Sequence, residues 1–285
     1  MKFLKLFSWL SLLAPSVFAA GETLGEYMIN HIADSRGEWH PLPGVHVPID
    51  WTFELFGINF APSLHVMMMI LAILVLVPLM SKAALRKNNA PVSRWGHAIE
   101  SVVKFLHDDL VVPNVGKKYA NTWMPFVCTL FFFILILNIF GLVPGLSTAT
   151  ANFSFTAAMA VMVFVTFNFA GMKQNGPINY ILNLWPHGIP LPVLVVLAPI
   201  EVVGLLTKSA ALAIRLAANL CAGHFVILSL LGLGSMMQSV GVTLGMGIPF
   251  ALFIFCLEVL VSFLQAYVFT LLATLFIGSA IHQEH

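Results

Sequence analysis

Charge is what this chain has least of. Only 9% of its 285 residues are Asp, Glu, Lys or Arg, against about 25% in an ordinary soluble domain. Apolar residues make up 59%, so water cannot be the main solvent, and the chain reads as a set of membrane spans. Cysteine is scarce too. The three present, Cys128, Cys221 and Cys256, lie in apolar runs with no CxxC or Cys/His spacing. That argues against a disulfide or zinc framework and leaves them as small packing residues. The chain has no HExxH and no GxSxG, and His282-Gln283-Glu284-His285 lacks the helical setting a metal site needs. These absences weigh against a membrane-embedded enzyme. No internal repeat of the kind an inverted-repeat transporter carries is found either.

What is present begins with a targeting pattern. Lys2 and Lys5 precede the apolar run Leu6–Phe18, and Val17-Phe18-Ala19 offers a small-residue cleavage site. The run falls short of the ~20 residues a helix needs to cross a bilayer. Residues 1–19 therefore read as a signal peptide cleaved after Ala19, the alternative being an uncleaved first span. Residues 20–60 mix Glu22, Glu26, Asp34, Glu38, Asp50 and Glu54 with Pro, Gly and His. They read as an extracytoplasmic segment with short strands around Val45–Ile49. Residues 61–285 form a polytopic membrane domain.

Its first span is expected at about Ser63–Met80. The segment 82–118 then holds Lys82, Arg86, Lys87, Arg94, Lys104, Lys117 and Lys118, seven of the chain's 13 basic residues. The positive-inside rule puts this segment in the cytoplasm. Within it Val92, Trp95, Ile99, Val102, Leu106 and Leu110 recur at three- and four-residue steps, with Arg94, His97, Ser101, Lys104 and Asp108 opposite. That spacing predicts an amphipathic helix, either on the membrane surface or packed on a partner. Spans at about Trp123–Val143 and Phe153–Gly171 follow, joined by an outward turn at Pro144-Gly145. Residues 172–190 return to the cytoplasm with Lys173 their only charge.

The last third holds two runs, Ile200–Gly232 and Pro249–Ile281, linked by the uncharged Leu233–Ile248. As helices each would be about 50 Å long at 1.5 Å per residue, against a hydrocarbon core of ~30 Å. Either they slant steeply, or glycines such as Gly204 and Gly223 break them. The expected fold is an all-α membrane protein of about five membrane helices. It includes a long, steeply tilted C-terminal hairpin and one interfacial amphipathic helix. Five crossings from an exported N-terminus put the C-terminus in the cytoplasm.

Glu201, Lys208, Arg215 and Glu258 are the ionised-type residues within these spans, joined by the titratable His224; His65 sits at the outer edge of the first span. A charge at mid-bilayer disfavours insertion by about 2.5–3.5 kcal/mol or more, so each asks for a function. Lys208 also fits simple snorkelling to the cytoplasmic surface. Arg215 lies fourteen residues beyond Glu201, about 21 Å along a helix, too deep to snorkel easily. Steps of seven put Glu201, Lys208 and Arg215 on one face, with Asn219 a turn later. His224 falls half a turn out of phase with Arg215. Glu258, Ser262 and Gln265 make a polar stripe, which could line a water path or bond between helices. Small residues crowd Arg215 (Ser209, Ala210, Ala211, Ala213, Ala217, Ala218, Ala222, Gly223), as they do where another helix approaches closely.

The run Arg215-Leu-Ala-Ala-Asn219-Leu-Cys-Ala222-Gly223-His224, followed by Glu258 and Gln265-Ala266, resembles subunit a of the F-type ATP synthase. Glu201 and Lys208 also sit where that family carries such residues. The resemblance runs from the first span onward and is strongest over Glu201–Gln265. It implies a non-catalytic stator subunit with no cofactor, metal or nucleic acid, in a bacterial inner membrane beside a ring of c subunits and the b subunits. The matching arginine would face the ring and keep two proton half-channels apart. His224, Glu258, Asn219 and Gln265 would line the extracytoplasmic inlet, and Glu201 the cytoplasmic outlet. Many bacterial relatives carry Glu and His in the reverse order at positions 224 and 258. Thr148-Ala149-Thr150-Ala151-Asn152 lacks the acid often found before the third span, which leaves the outer end of the inlet open.

Overall fold

The computed structural model describes residues 38–42, 45–48, 53–55, 58–60, 63–84, 86–87, 90–91, 94–143, 146, 149–182, 191–236 and 240–282. The expected signal peptide and Val92 of the amphipathic pattern lie outside them. Before the first membrane helix come two antiparallel hairpins: β1 (Glu38–Leu42) with β2 (Val45–Pro48), and β3 (Phe53–Leu55) with β4 (Ile58–Phe60). The strand expected near Val45 is therefore present. A third small pair, β5 (Arg86–Lys87) and β6 (Ala90–Pro91), follows the first membrane helix.

Everything else regular among the described residues is helical. Helix α1 is Leu64–Ala84, α2 Arg94–Phe105, α3 Val112–Val115, α4 Lys117–Leu142, α5 Phe153–Asn175, α6 Pro177–Leu182, α7 Leu191–Met236, α8 Val240–Val242 and α9 Ile248–Ile281. Five of these helical stretches are long and apolar enough to cross a membrane, as expected. A wide helical turn, Leu106–Val111, joins α2 to α3. It carries the amphipathic pattern through: Arg94, His97, Ser101, Lys104 and Asp108 are exposed while Leu106 and Leu110 are buried. Trp95 departs from that pattern at 77% exposed, while the neighbouring Gly96 is the residue of this turn that is buried.

The long helices answer the question left open by their glycines. Helix α7 runs unbroken for 46 residues, about 69 Å, passing Gly204 and Gly223. It starts at Leu191 rather than near Ile200, and so contains Pro199. A proline removes one backbone donor, a loss membrane helices tolerate. Helix α9 runs for 34 residues, within a residue of the expected start. The linker between them is shorter than expected, since α7 extends to Met236 and helical turns resume at Val240.

The chain forms two compact units. The first comprises the described residues of Met1–Ile73, Leu135–Asn152 and Ala217–Leu264; the second those of Leu74–Ile134, Phe153–Leu216 and Gln265–His285. In the second unit Gly278 packs so tightly on the Asn114 backbone that a Cβ there would lie 2.8 Å from its carbonyl carbon. Asn175 Nδ2 donates to the Ala280 carbonyl at 3.1 Å, and His282 Nε2 meets the Val115 carbonyl at 2.9 Å. Phe105 stacks on Tyr267 and Phe167 tilts against Phe276. These contacts join α2, α3 and α5 to the C-terminal half of α9 and the residue after it, which explains why the apolar face of the amphipathic segment is buried at its C-terminal end.

Candidate functional site

Helix α7 presents Arg215 outward. Lys208, Ala211, Arg215, Ala218 and Ala222 are all exposed, spaced by three or four residues, so they share one face. Leu212, Ala213, Leu216, Ala217 and Leu220 are buried. The small residues around the arginine thus do two jobs. Ala213 and Ala217 pack inside the chain, while Ala211, Ala218 and Ala222 form a low outer surface on either side of a cation. Asn219 is half-buried at the edge of this stripe. Glu201 and His224 belong to α7, but their side chains lie outside the described residues.

Helix α9 turns its polar stripe inward. Glu258 is 5% exposed, Ser262 0% and Gln265 7%. The same helix exposes Leu257, Leu260 and Leu264, so around Glu258 its leucines face outward and its polar side inward, the reverse of a water-soluble helix. Cys256 is also exposed, so it is not the buried packing residue expected. Thr270 and Thr274 are buried on α9 as well, but each hydroxyl donates to a carbonyl four residues back, at 2.8 and 2.7 Å. Their polarity is satisfied within the helix.

Within the first unit, Glu258 is brought against α7. A Cβ added at Gly223 would sit 2.7 Å from the Glu258 carboxyl carbon and closer still to Oε1. Only a glycine allows this approach, and His224 is the next residue along α7. Asn138, wholly buried on α4, donates from Nδ2 to the Ser262 carbonyl at 3.2 Å. That bond falls one helical turn beyond Glu258. Sequence reasoning missed Asn138, although it is the lone amide in the apolar run Phe126–Leu142. A second long-range pair joins His65, 3% exposed, to Asn152, with Nδ1 3.1 Å from the amide nitrogen. Gln265 falls in the second unit.

The sequence profile of the family described as ATP synthase A chain matches residues 65–278, a stretch that contains α7, most of α9 and every residue of this site. The chain belongs to the ATP synthase A chain family. Among relatives of that family, the chain is 40% identical over 274 residues to ATP synthase subunit a of Anaeromyxobacter dehalogenans (strain 2CP-C), covering 91% of this chain and 71% of the relative. It is 40% identical over 266 residues to ATP synthase subunit a 2 of Chlorobaculum tepidum, covering 92% and 74%. With ATP synthase subunit a of Chloroherpeton thalassium the identity is 38% over 264 residues, covering 90% and 77%. Within the ATP synthase A chain family, then, this member exposes Arg215 and buries Glu258.

Proposed function

We propose that the chain is the stator subunit that lets protons cross the membrane sector of an F-type ATP synthase, with Arg215 turned toward a rotating ring of c subunits. The observation that carries this reading is the exposure of Arg215 on a stripe of alanines. A charge facing lipid would be costly, whereas a partner surface bearing carboxylates would offset that cost. Alanines let such a surface come close without interlocking with it, as a sliding contact requires.

The chemistry follows from electrostatics. A fixed guanidinium favours the ionised form of a passing carboxylate, so a proton leaves as the carboxylate arrives. Arginine keeps its charge where a buried lysine could lose its proton. Protons reach the ring by an inlet lined by His224, Glu258, Asn219 and Gln265, and leave by an outlet that includes Glu201. Arg215 separates the two. Helices α7 and α9, slanted across the bilayer, hold these groups, and b subunits brace the stator. The subunit performs no catalysis itself. It lies in a bacterial inner membrane with its N-terminus outside and its C-terminus in the cytoplasm.

Proton flux in vesicles containing the whole complex, with and without ATP, tests the proposal. Arg215→Ala should abolish ATP-driven pumping while permitting passive leak, and Arg215→Lys should also fail to couple. Normal pumping by the Lys variant would overturn the role given to Arg215.

A further inference from the structure

We propose that His65, held by Asn152, is the outermost proton-accepting group of the inlet, ahead of Glu258. This rests on the reading above that Glu258 belongs to the inlet. The turn before α5 carries no acid, yet a titratable group reaches it from elsewhere. His65, in the first turn of α1 and 87 residues away in sequence, lies 3.1 Å from Asn152 through Nδ1. Both belong to the same compact unit as Asn138, Ser262, Gly223 and Glu258.

The pairing suits a group that gains and loses a proton. An amide nitrogen only donates, so with Asn152 Nδ2 toward it, Nδ1 of His65 accepts and the neutral ring carries its proton on Nε2. When the ring becomes imidazolium, Nδ1 turns donor, and a half-turn of the Asn152 amide presents Oδ1 to it. One partner thus serves both charge states. A carboxylate at position 152 would favour the imidazolium alone and hold the proton back.

Buried polar atoms in the same compact unit point to water. Thr150 Oγ1, Asn138 Oδ1 and Ser262 Oγ are buried with no hydrogen-bond partner among the described residues. Leaving such a group unmet costs about 1–3 kcal/mol, which a bound water removes. One lies in the turn two residues before Asn152, and another lies one helical turn beyond Glu258. In each cycle His65 takes one proton from outside and becomes imidazolium. It then gives one proton to water leading to the Glu258 carboxylate, and returns to the neutral ring.

The test uses the whole complex in vesicles, reading proton flux with a trapped pH dye. His65→Ala should slow flux about a hundredfold or more, the lower end of what a positioned proton-transfer group contributes, with the complex assembled. External imidazole should restore much of it. Asn152→Asp should slow the otherwise unaltered complex yet speed His65→Ala, because the new acid then supplies the missing site. Wild-type flux in His65→Ala would overturn the proposal. So would a loss that neither imidazole nor Asn152→Asp repairs, since that marks a packing role. Glu258→Ala, run alongside, separates the two failures. Normal flux in it overturns the inlet reading itself, whereas blocked flux in it with normal flux in His65→Ala overturns only the role of His65.

Discussion

The Glu258 carboxyl group rests on the backbone of α7 at Gly223, in space that any side chain at position 223 would fill. A long apolar helix would gain from alanine at such a position, by about 1 kcal/mol of helix propensity. The glycine is instead required by the carboxyl group beside it.

Gly223→Ala should therefore displace Glu258 and slow proton flux at least about tenfold, although the substitution favours the helix. Flux measured in vesicles at matched incorporation checks this. Gly204 is the control: a Cβ there meets nothing within 4 Å, so Gly204→Ala should leave flux near normal. Equal losses at the two sites would point to a general need for flexible helices.

His224 and Glu258 should behave as a coupled pair. Either residue changed to Ala should slow flux strongly. His224→Glu combined with Glu258→His should recover more flux than either single exchange. If the double exchange does no better than the worse single one, the two groups are separate sites rather than one shared titration.

The exposed alanines give a steric test of the ring contact. Ala218→Trp places a large side chain on the outer stripe, where the chain's own packing is undisturbed. It should leave the purified subunit as helical as before by circular dichroism, yet stop ATP-driven pumping. Ala217→Trp, one position away but buried, should instead overpack the interior, at a cost of about 1–3 kcal/mol, and lower expression and melting temperature. Similar behaviour of the two variants would argue against a sliding outer face.

Asn138→Leu removes a buried bond to the Ser262 carbonyl, worth about 1 kcal/mol, and a polar atom beside the Glu258 stripe. Flux should fall by about tenfold or more, while Asn138→Ser, which keeps polarity, should retain more of it. Melting temperature in detergent, recorded for both, shows whether the loss is one of stability.

Topology is open to direct labelling. In a cysteine-free background, Ala90→Cys should react with a membrane-impermeant reagent from the cytoplasmic side and His40→Cys from outside. The reverse pattern would overturn the assigned orientation. Mass spectrometry of the mature N-terminus checks the leader, and an intact Met1 would show that no cleavage follows Ala19.

Much of this was open to a reader of the sequence alone, for one physical reason: membrane helices announce themselves by length and apolarity, and a charge inside them stands out. The five spans and the unusual length of the last two helices follow from length and apolarity, and the amphipathic segment and the polar stripe Glu258–Ser262–Gln265 from periodicity along one chain. Arg215 was visible for the same reason. Periodicity assigns residues to faces of a helix, but it does not say what each face meets. Only the tertiary structure decided that Ala218 is outside and Ala217 inside, that Glu258 lies on Gly223, and that Asn138 ties α4 to α9. It also brought His65 to Asn152 across 87 residues. Each of these depends on helices distant in sequence coming to touch, and no local pattern encodes which pairs will do so.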